Sequence, residues 1–192
     1  MIINNLFIAI TLVTSAFILV SSNWRWMVAG LAIQYLISFI LVVQIWPLAL
    51  ASVKLISGWM GVILLAISLV SFEYQGESDK PVSERWFLLA TLLLLWMVIT
   101  ATTPRVNEWL PISYTNLYIG LVLMASGLLQ TSHKMDIVGM VIGLLSVLIG
   151  FDIIYSSLEG SALVTAFYGL INIALCLLGI FILNTSGKRE LP

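Results

Sequence analysis

The chain has 192 residues, 61% of them hydrophobic and only 9% charged, with mean hydropathy +1.12 and formal net charge −1. A soluble domain of this length needs polar residues over its surface, so the composition excludes one, and the charge balance excludes nucleic-acid binding through a basic surface. The lone cysteine, Cys176, excludes an internal disulfide and offers no metal-ligand spacing.

Apolar runs of about 20 residues, the length that crosses the hydrocarbon layer, alternate with brief polar breaks. The runs are continuous, and backbone in lipid must satisfy its own hydrogen bonds. The predicted fold is therefore all-α, a polytopic integral membrane helix bundle with seven transmembrane helices. The Met1 end has no basic n-region and no small-residue cleavage motif, so the first run is expected to be a retained span.

The first span is expected over Ile3 to Val20, followed by the turn Ser21-Ser22-Asn23-Trp24-Arg25-Trp26, whose aromatic rings suit the headgroup layer. The second runs from Met27 to Ile45 and is ended by Trp46-Pro47, since Pro47 has no amide hydrogen to donate. The third covers Leu48 to Val70 and carries Lys54. Glu73 to Arg85 is the longest polar segment and reads as a linker. The fourth span is expected over Trp86 to Thr102, with a connection from Pro104 to Pro111. The fifth covers Ile112 to Gln130 and is closed by His133-Lys134-Met135-Asp136. The sixth covers Ile137 to Leu158 with Asp152 inside, Gly160 breaks the chain, and the seventh covers Ser161 to Leu183 before the tail Lys188-Arg189-Glu190.

The end of the chain resembles its beginning. At one constant offset, Asn5, Leu6, Ile8, Leu12, Ser15 and Ser21 meet Asn116, Leu117, Ile119, Leu123, Ser126 and Ser132. The same offset aligns Ala51, Val53, Gly58 and Leu64 with Ala162, Val164, Gly169 and Leu175, while the stretch between needs a one-residue gap. Internal repeats of this kind are common in multi-span folds. They divide the chain into a first three-helix repeat (1–72), a linker with the fourth span (73–111), and a second three-helix repeat with a tail (112–192). The two units start four spans apart and so share one orientation, with the fourth span as spacer. Arg25, Lys80, Arg85, Lys134, Lys188 and Arg189 fall on the C-terminal face, against Arg105 on the other. The positive-inside rule then predicts a cytoplasmic C-terminus and an external N-terminus.

Ionisable residues inside a span cost at least ~2.5 kcal/mol to bury alone, which makes them functional candidates. Lys54 lies roughly 10 Å and Asp152 roughly 8–9 Å below the same membrane face at about 1.5 Å per residue, which suggests a buried pair. The alternatives are snorkelling by Lys54 or a pair that only locks helix packing. Glu159 sits at the mouth of the last hairpin, where a solvated carboxylate is the plainer expectation. His133, the lone histidine, stands in a loop where it either relays protons or is simply solvated. Asn172 and Gln34 are uncharged polar groups mid-span, suited to interhelical hydrogen bonds. Gly139, Gly143 and Gly150 give the sixth span a close-packing stripe. No catalytic triad, phosphate loop, haem ligand set or quinone motif is present, and no cofactor or metal is expected.

The segment Met140-Val141-Ile142-Gly143-Leu144-Leu145 follows the M-x-I-G-L-E pattern up to its last position, and so the last three spans resemble the K (4L) subunit of NADH:quinone oxidoreductase. The whole chain, with Asn4-Asn5-Leu6 near its first span and Ser52-Val53-Lys54-Leu55 in its third, resembles component E of the hydrogenase-four type membrane complexes. The resemblance implies a non-redox subunit in a prokaryotic inner or energy-converting membrane, partnered by antiporter-like subunits and a quinone or hydrogenase module. In the K-type family, glutamates of the second and third spans form part of a lateral proton path. The matching positions here, Leu145 and Asn172, carry no proton, so the resemblance implies that this path is lost or moved to Lys54 and Asp152. Two other functions fit the same residues. One is a small independent transporter with a Lys54/Asp152 site between its repeats. The other is a structural helix bundle in another energy-converting complex, with its tryptophans as interface anchors.

Overall fold

A computed structural model describes residues 2–71, 81–133 and 136–187. The described residues form α1 (Ile2–Val20), α2 (Trp24–Val43), α3 (Leu48–Ser71), α4 (Val82–Trp109), α5 (Tyr114–His133), α6 (Ile137–Leu158) and α7 (Ala162–Gly187), with no strand among them. Five helices are long and apolar enough to cross a bilayer: α2, α3, α4, α6 and, over Ala162–Thr185, α7. They make the chain an integral membrane protein. The two others depart from the expectation of seven on length and composition alone. The apolar stretch of α1, Asn4–Val20, is shorter. Helix α5 carries Asn116, Ser126 and Gln130, all buried against neighbouring helices rather than offered to lipid.

Local chemistry sets most of the helix ends. The Asn23 side chain accepts the Arg25 N–H at 3.0 Å and starts α2. Asp136 accepts from Val138 and Gly139 and starts α6, satisfying amides that no preceding turn can reach. Pro47 lies between α2 and α3, and its carbonyl accepts from Leu50 and Ala51 as α3 begins. Helix α4 corrects the sequence expectation: it starts before Trp86 and runs through Pro104 to Trp109 rather than stopping at Thr102. The physical reason is the cost of stopping: Pro104 forfeits one bond, to the Thr100 carbonyl, whereas a helix ended at Thr102 in apolar surroundings would leave four carbonyls without partners. Glu84 and Arg85 therefore belong to the first turn of α4, and His133 to the last turn of α5, not to loops. Glu73, Glu77, Asp79, Lys80, Lys134 and the tail Lys188-Arg189-Glu190 lie outside the described residues.

The helices pack in two rows, α1–α2–α3 and α5–α6–α7, with α4 against α1 and α5 at one end. The rows meet helix by helix, α1 on α5, α2 on α6 and α3 on α7. Facing helices run in the same direction. Gln34 and then Trp46 of the first row meet Ser146 and then Ser156 of α6, and Ser57 and then Gly61 of α3 meet Gly169 and then Cys176 of α7. Between the rows lies one apolar core that includes Leu31, Leu65, Leu69, Ile119, Leu123 and Ile142. Helices α5 and α6 make the closest pair, through reciprocal glycines. A Cβ added at Gly127 would come within 2.5 Å of the Gly143 carbonyl oxygen, and one at Gly120 within 2.9 Å of the Gly150 carbonyl oxygen.

Candidate functional site

Lys54 lies in the second turn of α3 and points into the bundle rather than toward the headgroups, with 6% of its side chain exposed. Its ammonium donates to Asp152 Oδ1 at 2.6 Å and to Ser156 Oγ at 2.6 Å. Asp152 and Ser156 stand four residues apart on α6, so one helix face supplies both acceptors. The Ser156 hydroxyl donates in turn to the Asp152 carbonyl. Trp46, in the turn before α3, lays its ring 4.2 Å from Lys54 Nζ, and its indole N–H donates to the Ser156 carbonyl at 2.8 Å. The ring of Tyr168 on α7 lies 5.8 Å from Nζ. The cation is thus held by a carboxylate, a hydroxyl and aromatic faces, which together offset the loss of water that isolates a buried charge.

Beside the pair is a cavity of about 10 Å³, edged by Tyr35, Ser38, Lys54, Asp152 and Tyr168. That is room for roughly one water, in a setting with enough polar partners to hold it. Deeper in the bundle the Tyr35 hydroxyl donates to Asn172 Oδ1 at 2.9 Å, and Asn172 Nδ2 is buried without a hydrogen-bond partner among the described residues. Ser146 donates to Gln34 Oε1 at 2.8 Å. Replacing Tyr35 with Phe should cost about 0.6 kcal/mol, the usual worth of an interhelical hydrogen bond in a membrane, read as a small shift in unfolding by SDS. A loss several times larger would mean that Tyr35 positions the neighbouring ion pair as well.

The structure brings Lys54 and Asp152 together and sets Asn172 two side chains away, through Tyr35. It does not bring in the other two candidates. Glu159 is exposed just past α6, where Tyr155 donates to it at 3.3 Å. It edges an open cleft of about 250 Å³ that Trp46 and Ser156 separate from the buried pair. His133 is elsewhere, its Nε2 3.0 Å from Glu84 Oε1, tying the end of α5 to the start of α4. Sequence inspection missed Trp46, Ser156 and Tyr168 as partners of Lys54. Ser156 carried a usable signal, since it follows Asp152 by one helical turn. Trp46 and Tyr168 carried none, because buried aromatics are ordinary in such a bundle.

Among the described residues no group of three or more His, Cys, Asp or Glu side chains gathers to hold a metal ion. No family model matches the chain, and no curated protein or solved structure matches it either.

Proposed function

We propose that the chain is a non-redox membrane subunit that bridges larger membrane subunits of a proton-translocating oxidoreductase of the complex I or membrane-bound hydrogenase kind. The observation that carries this is the enclosure of its sharpest chemical feature. Lys54 and Asp152 are held by each other, by Ser156 and by two aromatic rings, and the adjoining space has room for about one water. A transporter of small solutes needs a vacancy at its charged residues, and a tie between helices does not. The resemblance of Asn4-Asn5-Leu6, Ser52-Val53-Lys54-Leu55 and Met140 to Leu144 to the component E and K-type subunits supplies the kind of complex.

In this proposal all seven helices span the membrane, with the N-terminus outside and the C-terminus cytoplasmic, as the distribution of Lys and Arg favours. Residues 1–72 and 112–192 are two repeats in one orientation. The row packing supports that, since Gln34 meets Ser146 at a separation of 112 residues, close to the offset at which the two halves align.

Purification from native membranes in a mild detergent, followed by mass spectrometry of the intact assembly, tests the proposal. Co-purifying antiporter-like subunits with an iron–sulfur or hydrogenase module are the expected result. A lone monomer or homodimer would overturn it, and solute uptake by that species in liposomes would establish the transporter instead.

A further inference from the structure

The buried polar groups among α2, α3, α6 and α7 are not spread through the depth of the bundle. Lys54, Asp152, Ser156 and Ser38 lie in the half nearer the α2–α3 and α6–α7 turns. Gln34, Ser146 and Asn172 stand roughly 15–18 Å below that face, at about 1.5 Å per residue. Gln34 and Ser146 bond to each other, and Asn172 accepts from Tyr35. Past this level the buried side chains of the four helices are apolar among the described residues. Leu31, Leu65, Leu69, Val138 and Ile142 are all 0% exposed in one continuous core. The polar interior therefore ends blind at mid-depth.

The cavity of about 10 Å³ sits inside this polar half. Lys54 and Ser156 both engage Oδ1 of Asp152, at 2.6 and 3.4 Å. Asp152 is 4% exposed, and its Oδ2 takes no hydrogen bond from a described residue. Lys54 spends two of its three ammonium protons, on Asp152 and Ser156. Tyr35 gives its proton to Asn172 and keeps its lone pairs. Ser38 edges the same space, and its hydroxyl makes no bond to a described residue. Acceptors and donors thus converge on a space of one water's size, with the two to four partners a buried water needs. Between this space and the open cleft of about 250 Å³ stands Trp46, which lines the cleft and lays its ring 4.2 Å from Lys54 Nζ. It lies in the turn between α2 and α3, and its indole N–H makes one hydrogen bond, to the Ser156 carbonyl. On the cleft side a Cβ at Gly160 would still be 3.7 Å from the ring, so no tight contact holds it there.

We propose that the cavity among Tyr35, Ser38, Lys54 and Asp152 is a water site, filled and emptied from one membrane face only, through the cleft that Glu159 edges, with the Trp46 ring as its gate. The bound water would donate to Asp152 Oδ2 and Tyr35 and accept from Lys54 or Ser38, joining the ion pair to Asn172. The pair then exchanges with the face that carries Glu159, and the apolar core closes the way to the other face. This is a property of the chain alone, whatever assembly it belongs to.

The test places one thiol in the cavity, Ser38→Cys, in the full chain with Cys176→Ala. Silver ion, small and confined to water, is added to one side of right-side-out or inside-out membrane vesicles. Thiols left unreacted are counted by mass spectrometry after alkylation in denaturant. Gly160→Cys, labelled by an impermeant maleimide in parallel, shows which side of each vesicle holds the cleft. The thiol at position 38 should react from the cleft side and not from the other. Trp46→Phe removes the bond to Ser156 and should speed that reaction about three-fold, the worth of one such bond. Trp46→Ala should speed it further. Leu65→Cys, in the apolar core, should react from neither side in any of these backgrounds, which also shows that the bundle stays intact. Reaction at position 38 from both sides at similar rates, or from neither side with all three residues at position 46, would overturn the proposal. So would a rate that neither Trp46 substitution changes, or reaction of the Leu65→Cys thiol with Trp46 in place.

Discussion

Replacing Lys54 with Met is expected to remove about 3–5 kcal/mol of stability, the usual cost of stranding one member of a buried ion pair. Asp152, 4% exposed, would then keep Ser156 as its side-chain neighbour and lose its counter-charge. Asp152→Leu should cost a similar amount by stranding the ammonium. The double variant K54M/D152L should recover to within about 1 kcal/mol of wild type, because a well-packed apolar pair often matches a buried salt bridge in stability. Unfolding of the four proteins in SDS mixed micelles completes the cycle. Losses that simply add in the double variant would show that the two residues are not one energetic unit. The double variant also separates structure from ion movement. In the assembly proposed above, full proton pumping with K54M/D152L would leave the pair a purely mechanical role, and loss of pumping with folding restored would assign it an ionic one.

The second large effect belongs to the glycines between α5 and α6. Gly127→Val is expected to cost about 1–3 kcal/mol or more, since overpacking of a tight interface is resisted by both partners. The obstacle at this position is the Gly143 carbonyl and the α6 backbone amide of Val147, neither of which can rotate away as a side chain tip would. Gly160→Ala is the contrasting change. Its new methyl would meet the Trp46 ring at 3.7 Å, an ordinary contact, and should shift stability by less than about 0.5 kcal/mol. The same SDS titration compares them. A Gly127 variant as stable as wild type would mean that the α5–α6 approach is looser than the structure has it.

Much of the helix order could be read from the sequence, because apolar runs bounded by Asn23, Pro47, Asp136 and Gly160 mark their own ends. Pro104 misled, since a proline normally ends a helix, and here the helix runs through it at the loss of one backbone bond. The Lys54–Asp152 pair was legible for a geometric reason. Each charge lies just under two turns below the same face, and two isolated charges at one depth have few other places to go. The rest of the site was not legible. That Trp46 covers Lys54, or that Tyr35 reaches Asn172 across 137 residues, depends on which helices become neighbours. Apolar periodicity does not encode that in a chain where nearly every face is apolar. The polar residues of α5 carried no direction in the sequence, and only packing shows that Asn116, Ser126 and Gln130 point inward.

The way the two rows meet has a consequence for assembly. Units related by a two-fold axis along the membrane normal would set α1 across from α7, present identical backs, and close on themselves. Here α1 faces α5 and α3 faces α7, with each facing pair running the same way. Displacement without rotation gives a front-to-back stack. The outward side of α1–α3 and the outward side of α5–α7 are therefore different surfaces, and α4 shields one end of the stack while the α3–α7 end stays uncapped by it. A neighbour on one side must therefore present a different contact surface from a neighbour on the other, even if both are copies of one chain, so the bundle has a direction in the plane of its layer.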